Sequence, residues 1–224
     1  MSRILDREKA VVLRKQGKTY SEIRREVGVA KSTLSEWLKN LSLTEEQFVS
    51  LKNSRASSKQ IAIEKTRNVK QRKREVRLKI LYAAERRNWN SLNERELLLA
   101  GLFLYWGEGN KSLRGSLSLN NNDPKVLQFT LNWLLYGLGV PKEKIKVCLH
   151  LYNDMSVEEE IDYWSRLLDL PKVHFIRPYI KESKRMEITH KGFGHGTCGL
   201  IVNDVRLKEK VIMAIAAISD SFVI

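Results

Sequence analysis

Cysteines and long apolar runs are scarce in this chain of 224 residues. Its two cysteines, Cys148 and Cys198, are too few for a disulfide framework, so we expect two buried free thiols in strand-like segments. The apolar run Leu97–Trp106 is about half as long as a bilayer-spanning helix requires. The N-terminus is charged throughout and lacks the apolar stretch of a signal peptide. From these features we expect neither a membrane span nor a secretory leader, and we expect a globular cytoplasmic protein.

Acidic residues are scarce in the first part of the chain. Residues 1–92 hold 23 Lys/Arg and 10 Asp/Glu, residues 93–224 hold 17 and 16, and the net charge of the chain is +14. A strongly basic segment joined to a nearly neutral one indicates a polyanionic partner for the first. Nucleic acid is the commonest such partner. A membrane surface is disfavoured because no apolar face in the basic part is wide enough to insert.

Residues 4–41 predict three short helices. The first, at about 6–16, ends at Gly17. The second begins with a capping box of Thr19 and Glu22 and ends at Gly28, the residue type that best adopts a left-handed C-cap. The third covers about 31–41. Helical spacing turns the following apolar residues of the first and third helices inward: Ala10, Val11, Leu13, Leu34, Trp37, Leu38 and Leu41.

The run TYSEIRREVGVAKSTLSEWL resembles the helix-turn-helix of resolvases and many transcription regulators. In that motif the second helix of the pair enters the major groove, so the resemblance implies binding to double-stranded DNA. Ala30 stands where the family usually has a serine N-cap, which predicts fraying of the first turn of the recognition helix. A three-helix protein-interaction module is the alternative. The predicted outward residues are Lys31, Ser32, Thr33, Ser35, Glu36, Lys39 and Asn40, and all of them except Glu36 are expected to contact DNA.

Residues 42–92 predict a basic helical connector. A new helix is expected at SLTEEQ, with Ser42 or Thr44 as its cap, and the absence of proline permits a long helix. Between Lys52 and Lys79 there are eleven Lys/Arg and two acidic residues. The apolar residues follow no clean heptad, so a coiled coil is not expected. A solvated linker is one interpretation. We favour a connector that touches the DNA backbone through Arg72, Lys73 and Arg74.

Residues 93–224 predict a mixed α/β domain. The predicted order is helix 94–107, strand 115–121, helix 124–138, strand 144–152, helix 157–169, strand 173–181, strand 196–203 and helix 204–218. Alternation along the strands places apolar residues, among them Ile176 and Ile180, on a face that packs against helices. The other face is polar, basic and aromatic, and is either an ordinary solvated surface or, as we expect, a nucleic-acid contact. Its predicted residues are Lys144, Lys146, Cys148, His150, Tyr152, Phe175, Arg177, Tyr179 and Lys181, of which Lys144, Lys146, Arg177 and Lys181 are expected to contact DNA.

The stretch LLLAGLFLYWGEGN resembles the LAGLIDADG helix of homing endonucleases and related regulator domains. The resemblance implies a helix that packs against its twin in a homodimer, at Gly101, Tyr105 and Gly107. It also implies that the final acid, Glu108, ligates a divalent metal beside the scissile phosphate. A cation would offset the unfavourable position of this carboxylate at the negative end of the helix dipole. The alternative is a plain core helix that ends in a turn residue. Two extra residues precede GEG, and only one strand fits before Ser116 where the family has a hairpin.

The sequence therefore predicts an α+β DNA-binding protein with a helix-turn-helix at 1–41, a connector at 42–92 and a LAGLIDADG-like domain at 93–224. A regulator without cleavage is the first hypothesis. The second is a homing-type endonuclease whose Mg²⁺ is held by Glu108 from each copy of a dimer, with Lys146 or Lys181 as a basic partner. The third is an RNA-binding protein that uses the sheet face. His190, His195 and Cys198 lack a fourth ligand at zinc spacing, so a glycine-rich hairpin is expected there.

Overall fold

The computed structural model describes residues 4–41, 43–47, 49, 58–182 and 194–221. The chain is α+β, as predicted, and divides into two compact units, Met1–Asn90 and Ser91–Ile224. No helix in these described ranges is both long and apolar enough to cross a membrane.

Three helices of the first unit enclose a small apolar core: α1 (Ile4–Lys15), α2 (Tyr20–Val27) and α3 (Lys31–Leu38). The side chains buried in it are Ala10, Leu13, Tyr20, Ile23, Leu34 and Leu38. Thr19 and Glu22 form the predicted capping box of α2, and the hydrogen bonds from Thr19 hold the pKa of the Glu22 carboxyl below its ordinary value. Gly28 ends α2 with a φ of 72°, a conformation that glycine adopts without steric cost. Ala30 makes no side-chain cap, as predicted, and α3 ends earlier than the pattern indicated.

The basic segment forms one long helix, α4 (Ser58–Asn88), of 31 residues. Before it, Thr44 and Gln47 cap each other: the Thr44 N–H donates to the Gln47 amide at 3.0 Å and the Gln47 N–H to the Thr44 hydroxyl at 3.2 Å. Ser42, the other predicted cap, lies outside the described residues. The Asn68 amide on α4 donates to the Leu43 carbonyl at 3.2 Å. The long helix therefore contacts the segment that follows α3.

The second unit contains four helices and four strands among its described residues: α5 (Glu94–Glu108), β1 (Leu117–Asn121), α6 (Pro124–Asn132), β2 (Ile145–Tyr152), α7 (Val157–Leu168), β3 (Tyr179–Lys181), β4 (Thr197–Val202) and α8 (Val205–Asp220). A π-helical turn, Trp133–Gly137, continues α6. Short 3₁₀ turns occupy Lys142–Lys144 and Lys172–His174. The strand order is β1-β4-β2-β3, with β4 antiparallel to both neighbours and β3 parallel to β2.

Side-chain caps begin the helices of this unit. Asn93 and Glu96 form a capping box on α5, and the side chains of Asp123, Ser156 and Asp204 accept N–H hydrogen bonds at the starts of α6, α7 and α8. These caps satisfy amide groups that have no partner within the helix. The predicted helix and strand order is confirmed, with boundaries shifted by a few residues.

The predicted strand 173–181 is wrong in its first part. His174 belongs to a 3₁₀ turn, and its Nδ1 lies 2.9 Å from the Ile145 carbonyl oxygen. Phe175, predicted on the polar face, packs instead against the core. Ile176 and Ile180, predicted inward, are each 42% exposed. Phe175 bridges Val147, whereas Tyr179 pairs with His150, so the segment has one residue more than β2 between these two points, and Phe175 and Ile176 exchange faces. Ile180 stays in register opposite Leu151 and is exposed because β3 is an edge strand of the sheet.

Candidate nucleic-acid interface

The first turn of α3 presents small polar and basic side chains to solvent. Lys31, Ser32 and Ser35 are exposed and Thr33 is half-buried, whereas Leu34 between them is fully buried. This turn contains no acidic residue. Leu34 packs the helix against the core, and its polar and basic neighbours can donate hydrogen bonds to a polyanion.

The C-terminal end of α3 is less basic than the sequence indicates. Lys39 and Asn40 are both exposed, but the Lys39 ammonium pairs with the Glu36 carboxylate one turn earlier. An exposed pair of this kind opens at small energetic cost. Lys39 therefore remains available to a stronger anion.

The three basic residues predicted on the connector differ in their surroundings. Arg72 forms an ion pair with Glu45 at 3.0 Å and donates to the Leu43 carbonyl at 3.5 Å. Lys73 and Arg74 are exposed, and neither has an ion-pair partner within the part of the chain that the structure describes. Lys73 and Arg74 are thus open to an external anion, whereas Arg72 is already engaged.

The sheet of the second unit has one apolar face and one polar face. Every second residue of β2, from Ile145 to Leu151, is buried, and Leu119 and Leu200 lie on the same buried side. Their alternates point away from the core and define what we call the open face: Ser118, Asn120, Lys146, Cys148, His150, Tyr152, Tyr179, Lys181, Thr197 and Ile201. The four described strands contain no acidic residue. The predicted polar, basic and aromatic character of β2 is confirmed.

Aromatic and basic groups meet where β2 and β3 pair. Tyr179 lies opposite His150, with their ring centroids 5.6 Å apart. Lys181 lies opposite Tyr152, with Nζ 5.3 Å from the ring centroid. Burial, and then the charge of Lys181, lower the pKa of His150 below its ordinary value. This imidazole is therefore neutral at neutral pH.

Other predicted residues of this surface lie at its margin. Lys144 ends a 3₁₀ turn and is exposed, and Arg177 is exposed in the segment before β3. Cys148 is half-buried on the open face, while Cys198 is buried on the apolar face. Both are free thiols, as predicted, and burial raises the pKa of each.

Glu108 is the last residue of α5 and is exposed. Its carboxylate oxygen lies 3.5 Å from the Asn121 amide nitrogen, a long contact. Gly109 then leaves the helix and forms a β-bridge with Leu119, which places the carboxylate near the end of β1. Within the described ranges, no three His, Cys, Asp or Glu side chains form a group able to hold a metal ion. One copy of these residues therefore provides a single carboxylate at this position.

Two of the predicted interface residues contact the interior of their own chain. A Cβ on Gly101 would lie 2.0 Å from the Trp133 side chain, so the indole occupies the space that a methyl group would need. Tyr105 is fully buried, and its hydroxyl donates to the Asn110 carbonyl at 2.6 Å. Gly107 is exposed, with no atom within 4 Å of its Cβ position.

Sequence reasoning missed the exposed apolar side of α5. Leu99, Phe103 and Trp106 are all exposed there, and the two aromatic rings are 5.9 Å apart. Their spacing of three to four residues follows one helix face. Apolar residues occur on every face of this helix, so the sequence pattern does not distinguish its exposed face from its buried face.

A histidine–carboxylate pair was also missed. His195 Nδ1 lies 2.8 Å from the buried Glu160 carboxylate, and the imidazole stacks on the Tyr163 ring at 3.5 Å. The Trp164 indole N–H donates to the His195 carbonyl at 2.9 Å. Among the described residues His195 is thus tied to α7, while His190, the other zinc candidate, lies outside them. No sequence spacing connects residues so far apart in the chain.

Two surfaces thus combine exposed basic groups with hydrogen-bond donors: the start of α3 with the adjoining helix α4, and the open face of the sheet. No family model matches the sequence, and comparisons with characterised proteins and with solved structures likewise give no match.

Proposed function

We propose that the chain is a regulatory protein of the cytoplasm that binds double-stranded DNA in a sequence-specific manner. The observation that carries the proposal is the first turn of α3. Lys31, Ser32 and Ser35 are exposed on a helix whose opposite side, at Leu34 and Leu38, is fixed in a core. Side chains at the start of a recognition helix reach base edges in the major groove.

The long helix α4 supports the same proposal. It is strongly basic, and Lys73 and Arg74 project without an ion-pair partner in the described part of the chain. Each Lys or Arg that meets a phosphate adds affinity through counterion release, without reading sequence. We assign base recognition to α3 and backbone contact to α4.

The exposed side of α5 supports a homodimer. Leu99, Phe103 and Trp106 form an apolar strip beside Gly107, where a second backbone can approach closely. Apolar strips of this kind on soluble proteins commonly mark association sites. A dimer would present two copies of α3, the arrangement that reads two half-sites in duplex DNA.

Selection from a randomised duplex library tests the proposal. The full chain is incubated with the library with and without Mg²⁺, and both retention and cutting of the duplexes are scored. We expect enrichment of a defined sequence, and we expect Ser32→Ala with Thr33→Ala to weaken that enrichment. Retention of every duplex with equal affinity would reject sequence-specific binding.

Glu108 favours Mg²⁺-dependent cleavage of DNA as a second candidate. Its carboxylate is exposed at the end of α5 and has one long contact, to Asn121. A carboxylate oxygen is a ligand type that Mg²⁺ takes, but a single one does not hold the ion in place. The endonuclease therefore requires the dimer, with one Glu108 from each copy. If the wild type cuts DNA, and Glu108→Gln abolishes the cutting while retention of the duplexes is unchanged, the enzyme is favoured over the regulator.

A further inference from the structure

The open face carries aromatic rings on two adjacent strands. Tyr179 is 59% exposed and lies beside His150, and Tyr152 is the next residue of β2 on the same face. Aromatic rings on a sheet surface provide platforms on which nucleic-acid bases stack, and every base has a face able to do so. Tyr179 is the most exposed of these three rings, and His150 and Tyr152 are half-buried.

Basic groups lie at both ends of the same strand surface. Lys146 is near the start of β2, and Lys181 lies beside Tyr152 near its end. Tyr152 lies six positions after Lys146 on β2, about 20 Å at the rise of a β-strand. Sheet surfaces of this size accommodate two or three stacked bases. Because the four described strands contain no acidic residue, nothing on them repels a phosphate backbone that joins the two lysines.

The middle of the face is low enough for bases to approach. Gly199 has no side chain, and the Asn120 amide oxygen lies 2.0 Å from where its Cβ would be, so the two residues fill one shallow position. Cys148, opposite Gly199, is small. His150 is kept neutral by burial and by Lys181, so its ring offers a stacking surface and hydrogen-bonding nitrogens rather than a charge.

These features favour unpaired bases over a duplex. A duplex conceals its base faces in its own stack and presents phosphates and base edges, which leaves exposed aromatic rings without a partner. We infer that the open face binds a single-stranded nucleic acid, with one base stacked on the exposed Tyr179, a second on the half-buried Tyr152 when Lys181 moves from that ring to a phosphate, and the backbone held by Lys146 and Lys181. This inference rests on the proposed function only in taking nucleic acid as the ligand, since duplex reading is assigned to α3 in the other unit.

Fluorescence anisotropy of the full chain tests the inference with three labelled probes: oligothymidylate, oligouridylate and a blunt duplex. We expect the wild type to bind the single strands. Tyr179→Ala should weaken that binding about 5- to 100-fold, the range for loss of one stacked base, and leave duplex affinity unchanged. Tyr179→Phe, which keeps the ring, should bind like the wild type. Tyr136→Ala is the matched control, since Tyr136 is 70% exposed on the π-helical turn, outside the strands of the sheet.

Each outcome separates the two proposals. If Tyr179→Ala weakens single-strand and duplex binding equally, or if the wild type does not bind single strands, the inference is overturned. If single strands bind and duplexes do not, the inference stands and the proposed function fails. Tyr152→Ala repeats the test at the second ring, and a circular dichroism melt shows whether each variant is folded. Preference for oligouridylate over oligothymidylate would identify RNA as the natural strand.

Discussion

The guanidinium of Arg67 lies over the ring of Tyr20, with Cζ 5.2 Å from the ring centroid. The same group hydrogen-bonds the Tyr20 hydroxyl and donates to the Ser35 carbonyl at 3.3 Å. Tyr20 begins α2 and Ser35 belongs to α3, so one side chain of α4 connects both helices. Arg14 approaches the same ring, 5.1 Å from its centroid. The long helix is thus attached to the three-helix core at the elements assigned to DNA recognition.

Replacing Arg67 tests this attachment. Arg67→Gln removes the cation–π contact and the hydrogen bonds to Tyr20 and Ser35, together worth about 1–2 kcal/mol at this partly exposed position. We expect faster amide hydrogen exchange in α4 and α2, measured on the full chain by mass spectrometry. Arg74→Gln, at an exposed position of the same helix, should leave exchange unchanged. Equal exchange in the Arg67 variant and the wild type would show that the contact does not hold α4.

The role of the start of α3 is tested by measuring how well the chain distinguishes the selected site from a random duplex. Ser32→Ala with Thr33→Ala should reduce the preference for the selected site over a random duplex by about 1–3 kcal/mol per lost base contact. Ser32 is exposed and Thr33 is half-buried, and neither belongs to the apolar core, so stability should change little. Competition binding on the two duplexes measures the ratio. A parallel loss on both would mean that neither side chain reads sequence.

The basic helix is tested by salt dependence. Lys73→Gln with Arg74→Gln should weaken binding to all duplexes alike and flatten the slope of log affinity against log salt by about 0.9 for each lost phosphate contact. Arg72→Gln serves as the comparison because its guanidinium is engaged by Glu45. It should change the slope less than either neighbour does. Titrations at several salt concentrations provide the slopes, and a slope that none of the three alters would identify α4 as a passive connector.

The glycines of α5 should respond oppositely to alanine. Gly101→Ala places a methyl group against the Trp133 indole and should destabilise the second unit by about 1–3 kcal/mol or more, through overpacking. Gly107→Ala meets open space and should stabilise the helix by about 0.5 kcal/mol. Urea denaturation measures both. Sedimentation of the Gly107 variant also tests the dimer. If two copies of α5 pack closely at Gly107, the added methyl group should dissociate them. A wild type that is itself monomeric would reject the paired-helix arrangement.

His150 predicts a pH dependence of stability. Its pKa in the folded chain is lowered from 6.5, so the unfolded chain binds the proton more readily. The stability linked to this group is therefore fully present above pH 6.5 and is lost as the pH falls through the lower folded value. His150→Gln should flatten the decline of stability below pH 6.5, as followed by thermal melting. A decline of equal size in the variant would assign the effect to other groups.

Several elements could be predicted from the sequence because their causes are local. The capping box of Thr19 and Glu22, the left-handed Gly28 and the uncapped Ala30 depend on neighbouring residues alone. The alternation in β2 likewise shows directly which side chains are buried. The strand predicted at 173–181 was wrong in its first part, because an apolar pattern cannot reveal where a 3₁₀ turn replaces strand pairing.

The sequence by itself determined the helices, most strand boundaries and the concentration of positive charge before residue 93, since propensity, caps and composition act over short distances. Tertiary structure alone decided which basic and aromatic groups meet. Pairing of β2 with β3 brings Tyr179 to His150 and Lys181 to Tyr152, and packing of α4 brings Arg67 to Tyr20. It also placed Gly101 against Trp133, a residue in the next helical segment. Contacts between distant segments depend on register and packing, which no local pattern encodes.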